Sequence, residues 1–297
     1  RARRGFVLAS ATGQLGLALW WVHRTWTEGP QVALMGGWSA PLGIVLVVDL
    51  FSALMMGLGA FTVLAGLIYG YFELPVRLEH PLRLALVQLL ALGINLSFCT
   101  GDLFNLFVAF EILLIASYAL LTLEADNWDI KHAFPYVAIN LVGSALFLCA
   151  AGLAYALFGT LNFADISARA SSWIGDGRLD TLGLLLCMVF AIKAGLFPLY
   201  YWLPHSYPTL PTPLAAIYAG MLTKVGIYAT IRVFTLIFNY EPGYTHNIIV
   251  WISGLTMLLG VLGALCQMGF RRILSYHIIS QVGYMVMGLG LYSPLAV

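Results

Sequence analysis

The sequence predicts an all-α polytopic membrane protein of about nine transmembrane helices, and three observations predict it. Hydrophobic residues make up 61% of the 297 and charged residues only 9%, far from the make-up of a soluble domain. Mean hydropathy is +0.91. The apolar blocks are long enough, at about 20 residues, to cross a hydrocarbon core as helices. Runs such as LGLLLCMVFAI lack the alternation of an outer-membrane strand, so helices remain as the way to satisfy the backbone in lipid.

Taken in order, the blocks set spans at 5–22, 42–70, 82–100, 103–123, 133–158, 181–205, 212–238, 247–268 and 273–293. The first follows RARR, a membrane-flanking anchor, and no small-residue cleavage site of a signal peptide follows WWVHRTW. The abrupt ends of the chain, at an arginine cluster and at LYSPLAV, suggest a piece of a longer protein. Lys and Arg in alternate connections number eight on one side (Arg1, Arg3, Arg4, Arg77, Arg83, Lys131, Arg271, Arg272) and four on the other (Arg24, Arg169, Arg178, Arg232). The positive-inside bias then puts the N-terminus of this chain in the cytoplasm and the polar stretch 159–180 outside.

Other classes of function find little support. Net charge is +1 and no basic tract exceeds RARR, so nucleic acid is not an expected partner. Cys99, Cys149, Cys187 and Cys266 lie in apolar spans without CxxC spacing and read as buried small hydrophobes. No His/Cys/carboxylate cluster has ligand spacing, so neither metal nor cofactor is expected. His23, His80, His132 and His246 read as loop or interface residues.

What stands out is charge at membrane depth. With the span ends set aside, Asp49, Glu111, Lys193 and Lys224 remain, with His277. Asp49 is only about seven residues into its span and reads as a span-end or packing group. Glu111 follows Asp102 by nine residues and precedes Glu124 by thirteen, near mid-bilayer. Lys193 follows Asp180 by thirteen residues and Lys224 follows Pro213 by eleven, at similar depth. A charge there costs about 2.5–3.5 kcal/mol on insertion scales. Snorkelling, a fixed buried ion pair and a switchable Glu111–Lys193 pair feeding Lys224 are the three readings. The last is the chemistry of a proton relay.

Lys193 is followed by Pro198, Pro204, Pro208, Pro211 and Pro213. Each removes a backbone donor and clashes one turn back, so the span is expected to break at Pro198 and Pro204. Broken helices at membrane depth tend to mark ion and substrate sites.

The stretches DLFNLFVAFEILLIASYALL (102–121), IKAGLFPLYYWLPHSYPTLPTPLAAIYAGMLTKVGIYATIR (192–232) and RRILSYHIISQVGYMVMGLG (271–290) resemble the antiporter-type subunits shared by Mrp cation/proton antiporters and the membrane arm of respiratory complex I, the D branch of the Mrp group above all. The resemblance implies an antiporter-like fold of inverted five-helix repeats, each with a broken helix: helices before the repeats over 1–81, a first repeat over 82–238, and the start of a second over 239–297. It implies a proton relay through Glu111, Lys193, Lys224 and His277; His205 and Asp49 are candidate supporting groups beside it, not implied by the resemblance. FPLYYWLPHSY places Tyr200 and Tyr207 where complex I members usually have histidines, and His205 where they have an acid. That departure favours the Mrp branch. Comparing VAFEILLIASY with LSYHIISQVGY sets His277 opposite Glu111, each seven residues before a tyrosine.

The expected function is therefore that of a proton-translocating subunit of a multisubunit Na+ (or K+)/H+ antiporter in a prokaryotic cell membrane. It is a transporter component rather than an enzyme, working with other membrane subunits, the lipid bilayer, protons and a monovalent cation. The rival readings are a redox-coupled proton-pumping subunit of complex I or a membrane-bound hydrogenase, and a scaffold whose buried charges only fix helix register.

Overall fold

The computed structural model describes residues 2–73, 79–123, 125–239, 242–293 and 295–296. In order they form α1 (Ala2–Glu28), a hairpin of β1 (Gln31–Leu34) and β2 (Val45–Val48), α2 (Leu50–Glu73), α3 (Arg83–Cys99), α4 (Leu103–Thr122), α5 (Asn127–Phe158), α6 (Phe163–Ala170), α7 (Gly177–Ala194), α8 (Trp202–Ser206), α9 (Thr212–Ile217), α10 (Thr223–Leu236), α11 (Pro242–Leu265) and α12 (Phe270–Leu291). A single π-helical turn, Tyr218–Leu222, joins α9 to α10. Among the described residues six helices are long and apolar enough to cross a membrane: α1, α2, α4, α5, the run Thr212–Leu236 and α11.

Nine equivalent spans is thus more than length and composition support. The 17-residue α3 falls short in length, α7 carries Arg178, Asp180 and Lys193 within 18 residues, and α12 is made less apolar by Ser275, His277, Ser280 and Gln281. The expected span 42–70 also needs correction at its start: Val45–Val48 pairs antiparallel with Gln31–Leu34, and the helix begins at Leu50. A β-branched run preceded by Pro41 and Gly43 extends rather than coils. Arg1, Arg77 and Glu124, which bear on orientation and depth, lie outside the described residues.

The chain divides into two compact units. The first holds residues 1–130 and 210–221. Here α1 packs on α2, α2 on α3 and α9, and α3 on α4. The closest crossing is at Gly93, where a Cβ would lie 2.6 Å from the Leu113 backbone nitrogen, so α3 meets the middle of α4 with no side chain between. The hairpin fixes the other end of α4. Gly101 N–H donates to Val45 O at 2.9 Å, and Asp102 caps the helix by accepting from Asn105 N–H at 2.9 Å.

The second unit holds residues 131–209 and 222–297. Its tightest pair is α11 with α12, where Gly260, Gly283 and Gly290 each bring a backbone against the facing helix: a Cβ would stand 2.7, 2.8 and 2.9 Å from Ser280 N, Met257 N and Val250 N. Small residues do this work in a membrane, where helices gain nothing from leaving lipid. Phe147 of α5 and Phe190 of α7 pack edge to face at 5.6 Å, both fully buried. The polar stretch 159–180 contains the amphipathic α6, capped by Asn162, and Ser167 anchors it by donating to Leu236 O at 2.6 Å. Two expectations fail: of the cysteines only Cys187 is buried, and His246 is buried between Phe234 and Tyr292 rather than solvated.

Candidate functional site

Lys193 sits in the last turn of α7 and is 7% exposed. The helix ends one residue later because Gly195 adopts the left-handed conformation, φ 77°, and both Gly195 N–H and Leu196 N–H donate to Ala191 O at 2.9 Å. The lysine ammonium donates to Asn140 O at 3.2 Å and to Ser144 Oγ at 3.0 Å, both on α5. Two glycines let backbones close on this turn. On α5 a Cβ at Gly143 would be 3.1 Å from Ile192 Cγ2, and on α10 a Cβ at Gly226 would be 2.7 Å from Ala194 N. The turn that carries the charge is therefore gripped by backbone from one helix and polar groups from another.

The expected break is present, and its first residue is Gly195, three positions before Pro198. Residues 195–201 run non-helically until α8 opens at Trp202. Pro198 is exposed within that stretch. Pro204 is buried in the first turn of α8, where a missing N–H costs nothing because that donor has no intrahelical partner. Trp202 folds back on the break: its indole N–H donates to Ile192 O at 3.2 Å, and its ring lies 5.0 Å from that of Tyr136. His205 is half-buried, with its ring 4.2 Å from Tyr201 and stacked 6.4 Å from His132.

The remaining candidates differ in setting. Lys224 is the second residue of α10, half-buried, two positions past the π-helical turn. Such turns are frequent at functional sites because they displace the residues that follow. Glu111 is half-buried near the middle of α4, in the first unit, where Tyr218 OH also reaches the same helix by donating to Ser117 O at 2.7 Å. His277 is exposed on α12 in the second unit. Asp49 is half-buried just before α2 and acts as its cap, accepting from Ser52 N–H and Ser52 Oγ at 2.8 Å each. Asn140, Ser144, Gly143, Gly226 and Trp202 escaped the sequence reading. A signal for the first two was there: polar residues four apart, one face of a helix, in an otherwise apolar run.

Among the described residues no group of three or more His, Cys, Asp or Glu side chains could hold a metal ion. Outside the spans, Asp176 caps α7, and its hydrogen bonds from the Arg178 side chain and N–H hold its carboxyl down to about 2.

Lys193 is thus a buried cation beside an interrupted helix, and Lys224 a half-buried one on α10. Residues 100–296 match the model of the family described as NADH:quinone oxidoreductase/Mrp antiporter, TM. The chain belongs to this family. The match begins just before α4 and takes in the Glu111, Lys193, Lys224 and His277 helices. Within the NADH:quinone oxidoreductase/Mrp antiporter family, the chain is 45% identical over 97% of its length to a D-type subunit of a Na(+)/H(+) antiporter from Alkalihalophilus pseudofirmus, covering 58% of that relative. Among solved structures it is similar to a chain of the Mrp complex from a Dietzia species, at 30% identity and a TM-score of 0.93, over 100% of this chain and 55% of the other. It is also similar to a chain of a membrane-bound sulfane sulfur reductase, an archaeal respiratory membrane complex, at 27% identity and a TM-score of 0.86, over 97% and 59%. The chain thus spans a little over half the length of the relatives it matches, and its membrane fold is similar to those of the two solved structures.

Proposed function

We propose that this chain is part of a proton-translocating membrane subunit of a multisubunit Na+ (or K+)/H+ antiporter. Protons move through Glu111, Lys193, Lys224 and His277, and the protein transports rather than catalyses. The observation that carries the reading is the buried Lys193 ammonium at an interrupted helix end, held by neutral acceptors on α5. A permanently fixed cation at membrane depth is costly, and burial favours the neutral form of a lysine, so a buried lysine at a helix break is placed to exchange its proton. Family membership and the antiporter relatives of the D type support the antiporter assignment. His205 and Asp49 are supporting groups, the first stacked on His132, the second capping α2. The division into 1–81, a first repeat over 82–238 and the start of a second over 239–297 belongs to this reading. So do the other membrane subunits as partners, lipid as the surroundings, a prokaryotic cell membrane and a cytoplasmic N-terminus. Arg4 supports the last, since its ion pair with Glu79 at 2.9 Å brings the start of α1 and the connection after α2, both counted on the more basic side, to one end.

The test uses the full-length chain in everted membrane vesicles. Lys193→Ala and Glu111→Ala, at wild-type abundance, are expected to abolish cation-dependent dissipation of an imposed pH gradient. Wild-type rates in either variant exclude that residue from the relay. The likeness to a respiratory complex favours a second reading, a redox-coupled proton pump. A pH gradient that forms only when an electron donor and acceptor are supplied, with no response to Na+ or K+, selects it.

A further inference from the structure

Of the two α5 acceptors that hold the Lys193 nitrogen, one can respond to a change in its protonation. An ammonium has three N–H donors and no lone pair, whereas a neutral amine has two donors and one lone pair. The Asn140 carbonyl can only accept, and the Asn140 amide is committed to its own helix, donating to Tyr136 O at 2.9 Å. The Ser144 hydroxyl can accept from the ammonium and, by turning about its C–O bond, donate to the amine. Ser144 is 8% exposed and Asn140 1%, so bulk water does not substitute for either. Gly143 keeps α5 close enough for both to reach.

We propose that Ser144 is a positioning residue for proton transfer at Lys193, its hydroxyl retaining the lysine nitrogen in both protonation states. In the transfer the Nζ–H bond breaks, its electron pair stays on the nitrogen, and the proton passes to the next base of the relay. Ser144 keeps its own proton throughout, and its hydroxyl can meet the nitrogen as acceptor of an N–H or as donor to the lone pair. The nitrogen is thereby held where it can be protonated again. The inference rests on the relay reading of Lys193.

The experiment compares Ser144→Thr with Ser144→Val in the full-length chain, since valine and threonine share a shape and differ by the hydroxyl. Initial rates of cation-dependent dissipation of the pH gradient are measured in everted vesicles at matched abundance, beside Lys193→Ala. The threonine variant is expected within about twofold of wild type and the valine variant about tenfold below it, the loss of one hydrogen bond to a charged group. Where the valine variant fails to accumulate, Ser144→Ala takes its place with the same expectation. Equal rates in the hydroxyl-bearing and hydroxyl-free variants overturn the role of Ser144. If Lys193→Ala is inactive in the same experiment, the relay reading stands and only this inference falls; if Lys193→Ala transports normally, the relay reading falls with it.

Discussion

Substituting Gly226 by alanine probes how closely the Lys193 turn must be held. The new Cβ would stand 2.7 Å from Ala194 N and 3.0 Å from both Ala194 Cα and Lys193 C, all backbone atoms that no rotamer change can move aside. Ordinary contact begins at 3.4 Å, so α7 and α10 must part by about 0.7 Å. Overpacking of this kind costs about 1–3 kcal/mol, and alanine's better helix propensity returns about 1 kcal/mol. The net loss of stability is thus about 0–2 kcal/mol, too small to empty the membrane of protein. The functional effect is expected to be larger. The Lys193 bonds of 3.2 and 3.0 Å already lie toward the long side of the N–H···O range, and a displacement of that size exceeds what either tolerates. Losing one such bond corresponds to about a tenfold lower rate. The assay is the initial rate of cation-dependent pH-gradient dissipation in everted vesicles, with thermal unfolding in detergent beside it. Gly152→Ala is the control, because a Cβ there meets nothing within 4 Å. Wild-type transport by Gly226→Ala, matching the control, would refute the claim that this crossing positions the lysine.

Two further outcomes concern the supports around the site. Tyr218→Phe removes the bond to Ser117 O and should lower stability by about 1 kcal/mol, seen as a fall of a few degrees in the midpoint of thermal unfolding. Asp176 has its carboxyl held at about 2 in place of the usual 3.8, chiefly by the Arg178 side chain, so its contribution to α7 is complete above about pH 4 and lost as pH falls through 2. Asp176→Ala should therefore lower the unfolding midpoint equally at pH 8 and pH 5.

The sequence declared the site through cost. Lys193 and Lys224 were visible because lysine is expensive in lipid, and the break because five prolines follow Lys193. What composition could not disclose is contact. Gly143 and Gly226 are unremarkable among 30 glycines until their neighbours are known. The stop at Gly195 was hidden by the stronger signal of Pro198 just beyond it. Val45–Val48 was absorbed into a span because a short apolar run carries no period that separates a buried strand from a helix. Asn140 and Ser144, four apart on one helix face, gave a weaker signal than the lysines, because neutral polar residues cost far less than charges in a membrane helix.

The left-handed Gly195 has one more consequence. By ending α7 one residue after Lys193, it leaves the negative pole of that helix, equivalent to roughly half an elementary charge, at the turn that carries the lysine. Unlike a carboxylate, this pole cannot be neutralised by a proton and does not move with the side chains around it. In the relay proposed above, the turn therefore keeps a standing preference for positive charge once the lysine has given its proton away, and the backbone itself resets the site for the next one.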